Sequence, residues 1–294
     1  MFLQSHTGEI AALIVAVLWT MAALFFEKAG HKVGSLSVNI IRLVEAIVFL
    51  GLTTLFTRGM FFPVDATLHS WFWLGLSGIV GFFLGDLFLF KSYTIIGSRT
   101  SQLIMSLAPM LTALIGWVAL DEVLSGKNIA GIVVSVAGIM IAVAGKGLKL
   151  NISPKGFLFA FGGALGQAIG LILSKKGMGD YDAVAATQIR AIFGLAGFAL
   201  LVTFLKRWHR IFLSVKDARG MSSITLGAVF GPFVGVALSL FAVQHTETGI
   251  ASTLMALTPI FIIVPSALMF REKVTARQVI GAVISIAGAS IFFL

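Results

Sequence analysis

The sequence predicts an all-α membrane protein with ten transmembrane helices, arranged as two inverted five-helix repeats. Three observations support this prediction: the composition, the apolar segments of spanning length and an internal repeat. Of the 294 residues, 58% are hydrophobic and 11% are charged, and the mean hydropathy is +1.03. Soluble domains carry roughly a quarter charged residues, so this composition indicates a chain that lies in a lipid bilayer.

Ten apolar segments have the length of a membrane-spanning helix, roughly 20 residues. They lie at about residues 9 to 27, 36 to 57, 71 to 92, 99 to 120, 127 to 145, 156 to 174, 183 to 205, 221 to 243, 249 to 270 and 276 to 294. No basic stretch precedes the first segment, so we expect a retained helix and not a cleaved signal peptide.

The second half of the chain repeats the first. Residue n matches residue n+150 from Leu76/Leu226 to Gly138/Gly288, and residue n+148 further upstream, as at Arg42/Arg190. We therefore predict repeats at residues 1–147 and 148–294. Because five crossings are an odd number, the second repeat must enter the membrane from the opposite face, which is the architecture of alternating access. The alternative is a duplicated scaffold that moves nothing.

The basic residues predict the orientation. Fifteen of the 21 Lys and Arg residues fall in the first, third, fifth, seventh and ninth loops, four fall on the opposite side, and Arg42 and Arg190 lie inside spans. The positive-inside rule places the fifteen in the cytoplasm and both termini outside.

Other classes of protein are disfavoured. The net charge of +9 comes from residues between apolar runs, so lipid headgroups and not nucleic acid are the expected partners. The chain has no cysteine, and its five histidines lack metal-ligand spacing, so we expect no metal and no cofactor. Without an HExxH motif, paired aspartates or a Ser/His/Asp grouping, we expect no enzyme.

Asp86 is the most unusual residue, because it places a carboxylate in an otherwise apolar span. Such a charge costs several kcal/mol unless it is protonated, paired or hydrated. Asp86 is therefore a candidate for binding a cationic group or carrying a coupling proton. The alternative is a fixed ion pair, with Lys91 on the same span or with an arginine elsewhere.

Arg42 and Arg190 are buried charges at matching depths in spans two and seven. Glu45 follows Arg42 by three residues on the same helical face, so we expect the two to pair near the membrane surface. Glu45 is also a second candidate for coupling.

Two prolines at symmetric positions, Pro109 and Pro259, predict kinks that free backbone carbonyls near the midplane. Small polar residues precede each of them, which favours a central substrate site. Trp19 and Gln167, partners at the 148 offset, are further candidates to face a cavity. The predicted substrate-binding residues are Trp19, Asp86, Ser101, Gln102, Ser106, Gln167, Ser252, Thr253 and Thr258.

Small residues at four-residue spacing predict close helix packing in spans three, six and eight, and packing faces on spans five and ten at a repeat or subunit interface.

With these features the sequence resembles the EamA family of the drug/metabolite transporter superfamily. The resemblance rests on Leu18-Trp19, Lys28, Arg42, the stretch from Ser106 to Pro109 with Asp121-Glu122, Gly131 and Gly138, and its second copy from Ala256 to Glu272. It implies a central cavity lined by spans one, three, four, six, eight and nine, with spans five and ten peripheral. Members are commonly drawn with both termini in the cytoplasm, opposite to the charge bias of this chain.

The expected function is secondary transport of a small polar or amphipathic metabolite, such as an amino acid, by export or exchange. The expected partners are the lipid bilayer, the solute and a proton or counter-substrate, and the chain is expected in a bacterial cytoplasmic membrane as a monomer or homodimer. The alternative is a scaffold or a lipid-handling, scramblase-like protein.

Overall fold

The computed structural model describes residues 6–108, 110–112, 114–115, 126–143, 152–246, 251, 254–271 and 273–293, which form helices and no strand. The helices are α1 (Thr7–Val33), α2 (Ser35–Arg58), α3 (Leu68–Ser77), α4 (Asp86–Met105), α5 (Gly126–Val143), α6 (Pro154–Met178), α7 (Ala183–Phe204), α8 (Trp208–Val215), α9 (Ala218–Ala228), α10 (Val234–His245), α11 (Thr258–Phe261), α12 (Ile263–Phe270) and α13 (Ala276–Phe293).

Six continuous helical runs in the described part are long and apolar enough to cross a membrane. They are Thr7–Val33, Ser35–Arg58, Leu68–Met105, Pro154–Met178, Ala183–Phe204 and Ala218–His245, and shorter apolar helices cover Ile129–Ala142, Thr258–Phe270 and Ala276–Gly288. The longest run is broken at Gly97, whose φ of 77° leaves the helical region at the predicted boundary between spans three and four. The all-helical class is confirmed, and the count of ten spans stays a prediction.

Polar side chains cap the N-termini of several helices. The side chains of Thr67, Ser153, Asp182 and Asp217 each accept a hydrogen bond from a backbone N–H in the first turn of the helix that follows. Each of these hydrogen bonds satisfies a backbone N–H of the first turn, which has no acceptor inside the helix. Helix α2 ends at Arg58 and is followed by Gly59, whose left-handed φ of 74° suits glycine because glycine has no Cβ.

Wider helical turns occur at equivalent places in the two repeats. A π-helical segment at Gly78–Gly85 joins α3 to α4, and another at Val229–Phe233 joins α9 to α10. Residues 79–83 and 229–233 correspond at the 150 offset. Pro232 lies in the second segment, where it cannot donate a backbone hydrogen bond. Such wide turns often occur at functional sites.

Glycines allow helices of the two repeats to pack closely on each other. A Cβ on Gly166 of α6 would lie 2.6 Å from the Cα of Gly85, and one on Gly170 would lie 3.0 Å from the Cα of Gly81. In the other pair of helices, a Cβ on Gly227 of α9 would lie 2.5 Å from the Phe26 ring of α1. The first helix of each repeat therefore packs on the third span of the other repeat, as the small-residue spacing predicts.

Helices α5 and α13 pack directly on each other. A Cβ on Gly138 would lie 2.3 Å from the backbone nitrogen of Ser285, and one on Gly281 would lie 2.5 Å from the backbone nitrogen of Ala142. The Ser135 hydroxyl donates to the Ser285 carbonyl at 2.7 Å. The packing faces predicted on spans five and ten thus form a contact between the repeats.

We expect Gly138→Ala to lower the free energy of unfolding by about 1–3 kcal/mol, because the new methyl group forces two backbones apart. Gly126→Ala is the matched control, since a Cβ at Gly126 of the same helix meets nothing within 4 Å. Thermal unfolding of the purified protein in detergent measures both variants. Equal melting temperatures for the two would show that the α5–α13 contact contributes little.

Candidate functional site

A cavity of about 180 Å³ lies between the two repeats. Its lining comes from α1, α2, both π-helical segments, α4, α6, α7, α10 and α11, so both halves of the chain contribute. The lining is largely apolar and aromatic, with Trp19, Phe26, Phe82, Phe90 and Tyr93 among its members. A pocket of this kind binds the apolar part of a ligand and uses a few polar groups for orientation.

Most of the predicted site residues that the structure describes line this cavity. They are Trp19, Asp86, Gln102, Ser106, Gln167, Thr258, Pro259, Arg42 and Arg190. Pro109, Ser252 and Thr253 lie outside the described residues. The hydroxyls of Ser106 and Thr258 already donate to backbone carbonyls, at 2.6 Å to Leu103 and 2.9 Å to Met255.

Two predicted residues lie elsewhere. Ser101 is fully buried away from the cavity, where its hydroxyl donates to the Gly97 carbonyl at 2.8 Å and accepts from Ser92. Glu45 faces α9, where its carboxylate accepts a hydrogen bond of 2.6 Å from the Thr225 hydroxyl. The structure therefore does not bring Ser101 or Glu45 to the proposed substrate site.

Asp86 forms an ion pair across two helices. Its Oδ2 lies 2.5 Å from Nη2 of Arg42, and its Oδ1 accepts from the Gln167 amide at 3.2 Å. Both charged side chains are almost completely buried. Of the two partners that the sequence leaves open for Asp86, the structure forms the pair with an arginine and leaves Lys91 exposed.

The predicted pairing of Arg42 with Glu45 is wrong. The Nε atom of Arg42 donates to Asn39 at 3.0 Å, and its guanidinium also lies 4.5 Å from the centre of the Phe90 ring. Arg42 is 3% exposed, so neighbouring side chains and not lipid headgroups neutralise it. The rule that residues three apart share a helix face holds for an isolated helix, whereas here each residue meets a different neighbouring helix.

The charges in the cavity do not follow the symmetry of the repeats. Arg42 and Arg190 correspond at the 148 offset, and both guanidiniums lie over Phe82, at 5.9 and 4.7 Å from the ring centre. Asp86 corresponds to Val236 at the 150 offset. The two symmetric arginines therefore have one carboxylate near them, which pairs with Arg42 and attracts Arg190 from beyond ion-pair distance, and among the described lining residues the formal charge is +1.

Among the described lining residues, Arg190 is the cation that forms no ion pair. It is 3% exposed, yet its Nε has no hydrogen-bond partner, and the described residues provide no acid within ion-pair distance of its guanidinium. A buried charge without an ion-pair partner is costly in a membrane protein and marks a functional site by default. The cavity thus presents a guanidinium that is free to bind an anionic group.

Sequence reasoning missed Tyr93 as a lining residue. Its hydroxyl accepts a hydrogen bond of 2.8 Å from the amide of Gln102. The hydropathy pattern ends span three near residue 92, but the helix continues to the break at Gly97 and carries Tyr93 with it. Thr112 and Ser239 also line the cavity, and no spacing or charge distinguished them in the sequence.

The chain matches known transporters along its whole length. A family model described as "EamA-like transporter family" matches residues 6–144 and 154–294, one match for each repeat. An uncharacterized transporter of Synechocystis sp. is 24% identical over 285 residues, which cover 90% of this chain and 83% of that one. A "Probable amino-acid metabolite efflux pump" of Escherichia coli is 22% identical over 291 residues, which cover 97% of this chain and 94% of that one.

The fold matches that of a solved protein. One crystal structure superposes with a TM-score of 0.64 and 17% sequence identity, over 97% of this chain and 96% of the other. At this identity the likeness supports the fold alone. The resemblance seen in the sequence is confirmed by the family model, which matches both repeats of a chain built from long apolar helices. The chain therefore belongs to the EamA-like transporter family of multi-pass membrane proteins.

Proposed function

We propose that this transporter carries a small amphipathic metabolite with a carboxylate, such as an amino acid, and that Arg190 binds the carboxylate. The observation that carries the proposal is the single cavity carboxylate, Asp86, which pairs with Arg42 and leaves Arg190 without an acidic partner in the described residues. Guanidinium groups bind carboxylates through two parallel hydrogen bonds, which fixes the orientation as well as the position of the ligand.

The rest of the lining supports an amphipathic ligand. Trp19, Phe26, Phe82 and Leu89 give the cavity an apolar wall that suits an aliphatic or aromatic side chain. The volume of about 180 Å³ lies below the roughly 300–1,000 Å³ of sites for drug-sized ligands, which favours a small metabolite. The name of the Escherichia coli relative refers to amino-acid metabolites and agrees with this substrate class.

The proposed mechanism is alternating access by two inverted repeats of five spans, which rock about the cavity. Asp86 is the proposed coupling group. A proton on its carboxylate would remove the charge that holds Arg42, and the substrate carboxylate would then meet two guanidiniums. Loss of the proton would restore the ion pair and weaken the binding of the anion. Proton and substrate would thus load the cavity together.

Transport by reconstituted protein tests this proposal. Liposomes that contain the purified chain are given hydrophobic amino acids, the corresponding amino-acid amides and the corresponding amines, while uptake and internal pH are recorded. We expect transport of the acids with coupled proton movement, and little transport of amides or amines, which lack the anionic group. Equal transport of an acid and its amide would contradict the role of Arg190.

The scaffold and scramblase alternative is tested in the same liposomes. A fluorescent phospholipid in the inner leaflet reports lipid movement through its loss of signal to an impermeant quencher. Lipid movement without movement of any solute would replace the proposed function by the alternative.

A further inference from the structure

We propose that a second pocket, at the face with most of the basic loops, binds the phosphate group of an anionic phospholipid. The pocket has a volume of about 430 Å³ and lies between the end of α1, the start of α2, helix α4 and helix α8. Four basic residues line it: His31, Lys91, Arg207 and Arg210. Its described lining includes no acidic residue.

The cations of this basic pocket are available for a ligand. Lys91, Arg207 and Arg210 are exposed, and in the described part of the chain none of them forms an ion pair. The acids on adjoining segments are engaged with other groups. Glu27 accepts from the backbone of Ser98 at 2.7 Å and faces His31 at 3.6 Å, and Asp217 pairs with Lys32 at 2.6 Å.

The backbone adds donors to these side chains. Ser35, Leu36 and Ser37 of the first turn of α2 line the pocket, and no side chain caps this helix start. The N–H groups of a first turn have no partner inside the helix and favour an anion. The Ser214 hydroxyl of α8 donates to Ser37 at 2.9 Å, which holds α8 against the start of α2.

Apolar groups beside the pocket favour a lipid over a free anion. Helix α8 leaves Phe212 64% exposed and Leu213 52% exposed, and Phe204 at the end of α7 is 85% exposed. Such side chains next to cationic residues are typical of a helix that lies at the membrane interface. The acyl chains of a phospholipid can cover them while its phosphate occupies the basic pocket. Free phosphate would contact the basic residues and the backbone donors but would leave these apolar side chains uncovered.

Lipid titrations of the purified full-length protein in detergent test the proposal. The probes are dihexanoyl phosphatidylglycerol, dihexanoyl phosphatidylcholine and inorganic phosphate, with native mass spectrometry and thermal unfolding as readouts. We expect a retained phosphatidylglycerol adduct, and a preference over phosphatidylcholine that falls about thirtyfold in the Arg207→Gln, Arg210→Gln double variant.

A matched variant separates this pocket from general surface charge. Lys216→Gln with Arg219→Gln removes the same charge from the same loop, at exposed residues that do not line the pocket. We expect this pair to change the preference by less than about threefold, because exposed charges are screened over short distances. Equal losses in both double variants would overturn the proposal, as would inorganic phosphate binding as tightly as the lipid. All four residues are exposed, so both variants should fold.

Discussion

Asp86→Asn should lower the free energy of unfolding by about 3–5 kcal/mol, because it leaves the buried Arg42 guanidinium without its anion. The Oδ2–Nη2 contact of 2.5 Å is made where both side chains are at most 5% exposed. Chemical or thermal unfolding in detergent measures this loss without reference to transport. The stability measurement therefore does not depend on whether Asp86 carries the coupling proton.

Two further variants show whether the loss of stability in Asp86→Asn comes from breaking the ion pair between Asp86 and Arg42. Arg42→Gln added to Asp86→Asn should recover most of the stability, because a neutral pair is no longer an isolated buried charge. Asp65→Asn is the matched control, since Asp65 pairs with Arg58 in the same chain while its side chain is 37% exposed. Exposed pairs contribute about 0–1 kcal/mol. A negligible effect of Asp86→Asn would mean that the carboxylate is neutral in the folded protein.

The outline of this molecule could be predicted because a bilayer imposes it. Apolar segments must be helical to satisfy their backbone groups in lipid, so their lengths and the repeat offset indicate where helices lie. The four-residue spacing of small residues also predicts close helix packing, as between Gly85 of span three and Gly166 of span six. These features depend on local sequence or on symmetry, and both can be read without coordinates.

The partners of charged groups could not be predicted in the same way. The pairing of Asp86 with Arg42 joins residues 44 positions apart on different helices, and spacing along one helix gives no information about it. Local spacing favoured Glu45 for Arg42, but Glu45 turns toward Thr225 of the other repeat. Tyr93 was missed for a related reason, because hydropathy places the end of a helix only to within several residues. Residues that depend on contacts between helices thus required the structure.

Arg190→Gln should weaken binding of a carboxylate substrate by about thirtyfold or more, which corresponds to the roughly 2–3 kcal/mol of a charge-assisted hydrogen-bonded pair. Binding is measured by calorimetry on the purified protein with a transported acid and its amide. The acid should lose affinity while the amide changes little, so the discrimination between them disappears. Arg190→Lys should keep part of the affinity, because it retains the charge but loses the planar pair of donors.

The free energy of unfolding of Arg190→Gln shows whether Arg190 binds a ligand or stabilises the fold. Arg190 has no acid within ion-pair distance among the described residues, so Arg190→Gln removes a buried charge that only the Phe82 ring and the more distant Asp86 carboxylate compensate. We expect unchanged or higher stability, opposite in sign to the loss in Asp86→Asn.

Arg42→Gln should behave like Asp86→Asn, because it breaks the pair from the other side. Of the two arginines at equivalent positions of the repeats, Arg42 would then stabilise the fold while Asp86 is ionised, and Arg190 would be available to the substrate in either state of Asp86. A large loss of stability in Arg190→Gln would instead place both in the structural framework of the cavity.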